Sequence, residues 1–235
     1  MLEAQGYTVE LSSVAAGVMW ESIATGDQDF ITTAWLPYTH QSYWEAHKDD
    51  VDRIGAVYEG AVLAIVVPDY VTIDSLTEMA DHAEEFDNRI VGIDPSAGVM
   101  EATKNALMPN YGLDDWELSE SSEAAMIAEL ERSINNQDWV AVTGWAPHWK
   151  FAAYDLKMLE DPDETLGGQE EIVVVAREGF REDFPEVTSF LENWKMTSAQ
   201  LGEIMYMINV DGMGPAEAAA QWVEENQNVV DSWLS

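Results

Sequence analysis

Two short segments, QDFITTAWLP at 28–37 and QDWVAVTGWAP at 137–147, repeat one pattern in different halves of this chain. Each begins with Gln-Asp and an aromatic residue, continues through a β-prone run, and closes on Trp-x-Pro. A predicted helix precedes each segment, at about 15–25 and about 121–135. Two similar helix–strand units predict an α/β protein of two lobes with a ligand cleft between them.

The rest of the chain alternates short apolar runs with helical periodicity. Predicted strands lie at 7–11, 29–33, 58–67, 116–118, 139–143 and 171–176, and one more ends at Ile93; the last helices lie at about 183–193, 197–209 and 214–231. This alternation predicts parallel sheets with helices on both faces. In such sheets ligands bind beyond the carboxyl ends of the strands, where Trp35 and Trp145 are predicted to lie.

The charge of the chain limits its partners. It carries 45 acidic and 10 basic residues, a formal net charge of −35. Because phosphate backbones are bound by basic patches, nucleic acid is excluded as a partner, and an anionic membrane surface is disfavoured for the same reason. The excess of like charge predicts either a heavily solvated surface or a protein that works in high salt, where screening relieves the self-repulsion.

Several kinds of site and targeting signal are missing from the sequence. There is no cysteine, which excludes disulfides and thiol catalysis. The four histidines have no metal-ligand spacing and no GxSxG or nucleotide motif occurs, so we expect no metal, no cofactor and no catalytic residue. The longest apolar run, Ala61 to Val67, is too short to cross a membrane, and no signal peptide or lipid anchor is visible in this chain.

The repeated tryptophans are open to two interpretations. Trp35 and Trp145 are core residues if they follow the usual role of aromatic side chains. Their equivalent positions favour instead two indoles that face each other across the cleft and bind a quaternary ammonium through cation–π attraction. Trp149, close to Trp145, is a second candidate. The tryptophans on helical patterns are predicted to be core residues: Trp20, Trp194, Trp222 and Trp233.

A second candidate site lies in GIDPSAGVM at 92–100, which reads as strand, turn and helix start. The backbone N–H groups of Gly98 and Val99 fall in the first helical turn, where they lack helical partners and attract an anion. An ordinary βα turn is the alternative. His40 follows Trp35 by five residues in a predicted cleft loop. It is either a solvated loop residue or a hydrogen-bond partner for a ligand carboxylate.

Four stretches, AWLPYTH, GIDPSAGVM, VTGWAPHW and LEDP, resemble the glycine betaine-binding proteins of ABC-type osmoprotectant importers. The resemblance covers nearly the whole chain. It implies a type II periplasmic-binding-protein fold, in which two α/β lobes close on a ligand in the cleft between them. We expect lobe I at 1–67 and 171–235 and lobe II at 68–170.

The same resemblance implies roles for individual residues. Trp35 and Trp145 match tryptophans of a cage around a trimethylammonium group. The backbone amides of Gly98 and Val99 match those that hold the carboxylate, and His40 matches a histidine that assists at that carboxylate.

We therefore expect a non-enzymatic, extracytoplasmic solute-binding protein. It would capture glycine betaine or a related quaternary-ammonium zwitterion and deliver it to the transmembrane permease subunit of an ABC transporter. The alternatives are a binder of choline, carnitine or proline betaine, a ligand-sensing domain, and an enzyme that acts on a quaternary amine. The enzyme needs a base or nucleophile in the cleft, and the sequence offers none beyond His40.

The start of the chain departs from the pattern that the resemblance implies. Related proteins carry an earlier strand ending in a further cage tryptophan, and the opening MLEAQGYTVEL reads as the end of the helix that follows it. Lobe I is therefore expected to be N-terminally truncated. Strand 7–11 would then lack a neighbour and expose unpaired backbone groups. We therefore expect either self-association through the exposed sheet or an open, weakly binding lobe I, with lobe II intact.

Overall fold

The computed structural model describes residues 1–234 as a mixed α/β protein. Its strands are β1 (Phe30–Leu36), β2 (Val51–Pro68), β3 (Arg89–Val91), β4 (Glu117–Ser119), β5 (Ala141–Ala146), β6 (Leu156–Met158) and β7 (Glu170–Arg177). Its α-helices are α1 (Ala16–Ala24), α2 (Gln41–His47), α3 (Gly98–Ala102), α4 (Met108–Asn110), α5 (Glu123–Asn136), α6 (Lys150–Ala153), α7 (Phe180–Asp183), α8 (Pro185–Asn193), α9 (Ser198–Asn209), α10 (Pro215–Glu225) and α11 (Gln227–Trp233). A π-helical turn, Thr103–Leu107, joins α3 to α4, and 3-10 helices lie at Glu3–Gln5 and Leu76–His82.

The chain forms two compact units. Unit 1 comprises Met1–Gly60 and the chain from Glu170 onwards, and unit 2 comprises Ala61–Gln169. The first boundary falls inside β2, so this strand contributes its first part to unit 1 and its last part to unit 2.

Unit 1 is built on the strand order β1-β7-β2, and β1 runs antiparallel to β7. Side chains that alternate along β7 face two separate cores, as the period of two in a strand dictates. Val173 and Val175 pack with Trp20 of α1, whereas Val174 packs with the C-terminal helices around Trp222. This sheet, buried on both faces, holds β1 in place and thereby positions the end of that strand.

Unit 2 has the strand order β2-β5-β3-β4, and β6 also pairs with β2. It too is covered on both faces. Ile65 and Ile90 point into the larger core, while their neighbours Val66 and Val91 point into a smaller core against α5. β5 runs through the middle of this sheet, with β2 on one side and β3 on the other.

The predicted core tryptophans are confirmed. Trp20, Trp222 and Trp233 are buried in unit 1, and Trp194 is partly buried against the same core as the last two. The rings of Trp222 and Trp233 stack with their centroids 5.9 Å apart. Helical spacing of aromatic residues was therefore a sound guide to the core of the C-terminal helices.

The expectation of parallel sheets was wrong in part. β3 pairs in parallel with β4 and β5, but the pairs β1–β7, β2–β5 and β2–β6 are antiparallel. A strand buried on both faces reads as a continuous apolar run in either direction, so the sequence pattern could not distinguish the two.

Three predicted elements also differ from the structure. The predicted strand at 7–11 forms no ladder among the described residues, because a groove separates it from β1, and Leu11 is 94% exposed. β2 begins at Val51, earlier than the predicted start at 58. The prediction missed its first half because polar residues and glycines interrupt the apolar pattern there. The helix predicted at 214–231 is divided into α10 and α11 at Asn226, whose backbone leaves the helical region at φ −120° and ψ 35°.

Candidate ligand-binding site

The first candidate tryptophan lies near the end of β1 in unit 1. Trp35 is partly exposed, and the Leu36–Pro37 peptide bond that follows it is cis. Its backbone N–H donates to Nδ1 of His40 at 3.1 Å, and the His40 N–H donates back to the Trp35 carbonyl at 2.9 Å. The predicted pair is therefore joined by two hydrogen bonds that close a tight loop between β1 and α2.

The chemistry of His40 follows from this arrangement. Its side chain is buried, with the rings of Trp20 and Tyr43 edge-on to it at centroid distances of 5.9 Å. Burial lowers the pKa of His40 to about 4, so the imidazole is neutral at pH 7. Because Nδ1 accepts a hydrogen bond, the proton sits on Nε2, which leaves His40 as a neutral N–H donor.

Glu170, the first residue of β7, fixes the loop that carries this pair. It is 2% exposed, and its carboxylate accepts hydrogen bonds from the N–H groups of Tyr38 at 2.8 Å and Thr39 at 2.7 Å. The Thr39 hydroxyl donates to the other carboxylate oxygen. Sequence reasoning missed Glu170, because nothing in QEEIVVV indicates a contact with a loop so distant in sequence.

The second candidate tryptophan lies near the end of β5 in unit 2. Trp145 is partly exposed, pairs with Leu63 of β2, and precedes a second cis peptide bond, Ala146–Pro147. The ring of His148 packs edge-on against the indole, with centroids 4.9 Å apart. The two copies of the repeat therefore end in the same local geometry, a partly exposed indole followed by a cis proline.

Two further side chains contact the indole of Trp145, those of His148 and Lys150, and no sequence pattern indicated either contact. The Nε2 atom of His148 lies 3.1 Å from a carboxylate oxygen of Glu123 at the start of α5. Lys150 is fully buried, and its Nζ lies over the indole of Trp145, 4.7 Å from the ring centroid. Trp149, the second candidate of the sequence analysis, packs against His148 instead, with centroids 5.7 Å apart.

The predicted anion site is the start of α3, which packs against β5 in the same unit as Trp145. Gly98 and Val99 are both buried, and Ala97 precedes them in extended conformation without a side-chain cap. Neither N–H group donates a hydrogen bond within residues 1–234, whereas the next one, of Met100, donates to the Ala97 carbonyl at 2.9 Å. Two buried donors at a helix start are suited to bind a carboxylate.

The structure thus groups the five predicted residues by unit. Trp35 and His40 are in contact in unit 1, and the other three lie in unit 2, where α3 packs against the strand that carries Trp145. Across the described part of the chain, no group of three or more His, Cys, Asp or Glu residues is placed to hold a metal ion. None of the described helices is long and apolar enough to cross a membrane.

Known proteins of similar sequence bind betaines. The chain is 41% identical over 155 residues to the glycine betaine/carnitine transport binding protein GbuC of Listeria monocytogenes, an alignment that covers 65% of this chain. It spans about half the length of that protein, 51%. It is also 23% identical to the glycine betaine/proline betaine-binding periplasmic protein of Salmonella typhimurium, over 99% of this chain and 82% of the other.

Solved structures agree with the fold along the whole chain. Lactococcal OpuAC, crystallised in a closed conformation with glycine betaine, superposes with a TM-score of 0.94 at 34% identity, over 100% of this chain and 91% of that one. The glycine betaine/L-proline-binding protein ProX of Borrelia burgdorferi gives a TM-score of 0.95 at 33% identity, over 100% and 88%. The two-lobe periplasmic-binding-protein fold implied by the sequence resemblance is therefore confirmed.

The sequence profile of one protein family, described as the substrate-binding domain of ABC-type glycine betaine transport systems, matches residues 1–225. Substrate-binding proteins of ABC transporters are not enzymes, which removes the alternative of an enzyme acting on a quaternary amine. Since the match extends over nearly all of the sequence, the chain belongs to the family of substrate-binding domains of ABC-type glycine betaine transport systems.

Proposed function

We propose that this protein captures glycine betaine outside the cytoplasm and delivers it to the permease of an ABC transporter. Units 1 and 2 would be the two lobes that the sequence analysis expected at 1–67 with 171–235 and at 68–170. The observation that carries the proposal is the repeated strand end, where each unit presents a partly exposed indole. The family match and the betaine-binding relatives supply the ligand class.

The trimethylammonium group is the part of the ligand that the indoles would hold. It cannot donate a hydrogen bond and is weakly hydrated, so the negative face of an aromatic ring is its best partner, at about 0.5–2 kcal/mol per ring. Trp35 and Trp145 would each contribute one face. The backbone of Trp35 is hydrogen-bonded to His40. The indole of Trp145 contacts the ring of His148 and the amine of Lys150.

The carboxylate of the ligand would be bound by neutral donors. The free N–H groups of Gly98 and Val99 are two of them, and the Nε2–H of His40 is the third. Donors that are already fixed and dry bind a carboxylate without the cost of ordering a flexible cation. A neutral histidine also suits a ligand whose own charges already cancel.

Choline is the second candidate ligand. A choline-binding ABC-transporter protein in complex with choline has a similar structure, with a TM-score of 0.91 at 26% identity. Choline keeps the quaternary ammonium but has a hydroxyl where betaine has a carboxylate. The anion site at Gly98 and Val99 therefore favours betaine, because its two donors match a carboxylate better than a single hydroxyl.

Calorimetric titration with glycine betaine and choline tests the proposal. We expect betaine to bind more tightly, and Trp35→Ala and Trp145→Ala each to weaken betaine binding by at least ~1 kcal/mol. Trp194→Ala is the control, because Trp194 stacks on Phe190 in the core of unit 1. It should lower stability and leave affinity unchanged. Tighter binding of choline, or full affinity in both tryptophan variants, would contradict the proposed site.

Self-association through unit 1 is a separate proposal. β1 is the edge strand of its sheet among the described residues, and segment 7–14 forms no ladder with it. The two flank a groove of about 500 Å³. A second copy could add a strand there. Light scattering over a concentration series, with Leu11→Glu as the disrupting variant, tests this, and a monomer at every concentration would contradict it.

A further inference from the structure

His40 and Lys150 occupy the same position in the two copies of the repeat. Each follows its tryptophan by five residues, in WLPYTH and in WAPHWK. The first copy places a neutral imidazole on the backbone of Trp35, whereas the second places an amine over the ring of Trp145. The repeat therefore brings a different charge to each of the two candidate cage tryptophans.

The ammonium of Lys150 is enclosed by apolar and aromatic groups. The residue is 0% exposed, and its Nζ lies 4.7 Å from the Trp145 ring centroid and 5.6 Å from that of Phe151. Nζ has no hydrogen-bond partner in the part of the chain that the structure describes. Buried amines are usually paired with an acceptor, so an ammonium held by two ring faces indicates a role other than an ion pair.

The neighbouring strand leaves room for this ammonium. A Cβ atom on Gly144 would lie 3.0 Å from Nζ of Lys150 and 2.4 Å from a methyl carbon of Val66. The equivalent residue of the first copy is Ala34, and there the residue five after the tryptophan is His40 rather than a lysine. Glycine at this position therefore leaves room for the lysine ammonium and for Val66 beside the strand.

One nearby carboxylate, that of Glu123, acts on the charge of Lys150 without a hydrogen bond to it. Burial lowers the pKa of Lys150 to about 8, so the ammonium form predominates at pH 7. Burial also lowers the pKa of His148, which keeps the imidazole neutral, while the hydrogen bond from His148 lowers the pKa of Glu123. Glu123 is thus a carboxylate whose charge raises the pKa of Lys150, but burial outweighs this attraction, and the carboxylate bonds His148 and makes no hydrogen bond to Nζ.

Two other titratable groups that follow α6 are engaged elsewhere. The phenol of Tyr154 donates to Glu131 of α5, and its pKa is raised to about 12 by burial and by that carboxylate. Lys157 of β6 is paired with Asp74. Lys150 is therefore the group nearest Trp145 whose charge changes between pH 7 and 9.5.

We propose that Lys150 determines the charge preference of the site, by disfavouring ligands of net positive charge at Trp145 relative to zwitterions. The inference rests on the proposed function, because it concerns the same betaine site. A ligand ammonium on the indole stands within roughly 6 Å of the ring centroid, so it adds a second positive charge close to Nζ. A zwitterion brings its own carboxylate, which offsets that repulsion, and choline does not.

Lys150→Met tests the proposal, because methionine fills the same space without the charge. We expect choline to gain on the order of tenfold in affinity relative to betaine, the size expected of two partly screened charges at this separation. Lys157→Met is the matched control, since it removes one positive charge from the surface of the same unit and should leave the ratio unchanged.

A pH series on the unmodified protein gives a second measurement that needs no substitution. Between pH 7 and 9.5 Lys150 loses its proton, whereas neither ligand titrates, so the ratio of the choline and betaine dissociation constants should move toward choline. The Lys150→Met variant should show no such change, and Lys157→Met should retain it.

The results separate this inference from the proposed function. Betaine binding with a ratio that neither Lys150→Met nor pH changes would overturn the role of Lys150 and leave the proposed function intact. Equal losses for both ligands in Lys150→Met would show that the side chain only supports Trp145, which also overturns it. An unmodified protein that binds neither ligand would overturn the proposed function and this inference together.

Discussion

Replacing Glu170 should loosen the Trp35–His40 loop without touching either residue. The buried carboxylate accepts hydrogen bonds from two N–H groups, of Tyr38 and Thr39, and from the Thr39 hydroxyl. In Glu170→Ala these three donors lose their acceptor. A buried donor without a partner costs about 1–3 kcal/mol, and Tyr38 is 48% exposed, so water will satisfy part of the loss. The lower end of that range gives about 3 kcal/mol for the three donors.

Glu170→Gln separates the charge from the contacts. Its carbonyl oxygen can still accept from the two N–H groups, and its amide can donate to the Thr39 hydroxyl. Since hydrogen bonds to an ionised acceptor are roughly twice as strong as neutral ones, we expect a smaller loss, about 1–1.5 kcal/mol. The affinity for betaine should fall more in Glu170→Ala than in Glu170→Gln, because ligand binding must then order a looser loop.

Urea unfolding and calorimetric betaine titration of both variants measure these effects. The matched control is Glu171→Gln, which removes the same charge one residue later. Glu171 is partly exposed and pairs with Arg53, so the change should cost under ~1 kcal/mol and leave affinity unaltered. Stability and affinity in Glu170→Ala equal to those of the control would refute the claim that this carboxylate holds the loop.

Three further predictions concern stability. The pKa of His40 is lowered to about 4, so between pH 6.5 and about 4 the unfolded chain binds a proton that the folded chain does not. The free energy of unfolding should therefore fall by up to about 3 kcal/mol as the pH drops through this window. The fall should be smaller in His40→Gln. Chemical unfolding at pH 7 and 4.5 measures the difference. Gly144→Ala should cost about 1–3 kcal/mol through its clash with Val66, whereas Gly202→Ala, in open space on α9, should be neutral or stabilising in the same thermal melts. With a net charge of −35, the melting temperature should rise from low to molar salt, and an unchanged value would show that repulsion does not limit stability.

Much of the architecture followed from the sequence, because buried strands and amphipathic helices leave periodic patterns. The α/β class, the positions of β1, β5 and β7, and the buried tryptophans of the C-terminal helices were all predicted in this way. Strand direction was not, since an apolar run has no direction. The strand expected at 7–11 was also wrong, because its β-prone residues say nothing about whether a neighbour is present to complete a ladder.

Part of the candidate site could be predicted because it is local. Trp35 and His40 lie five residues apart, and Gly98 and Val99 begin a helix that the βα turn already indicated. The structure gives the position of each of these residues within its own unit. That they bind one ligand together is the proposal made above. The contacts of Glu170 and of the pair His148–Glu123 could not be predicted from the sequence, since each joins segments that are distant along the chain.

The repeat shows why a shared motif does not imply shared chemistry. Both copies place a partly exposed indole before a cis proline, and both place a titratable side chain five residues after the indole. In unit 1 a buried carboxylate from β7 holds the loop backbone, so His40 stays beside Trp35 and bonds its N–H. In unit 2 the glycine before Trp145 opens a space on the strand, and Lys150 extends into it to reach the ring. The difference between a neutral donor and a buried cation lies in His40 and Lys150 themselves. Glu170 and Gly144 touch no ligand atom in the proposed site, but one holds the loop and the other leaves the space that bring each side chain to its tryptophan.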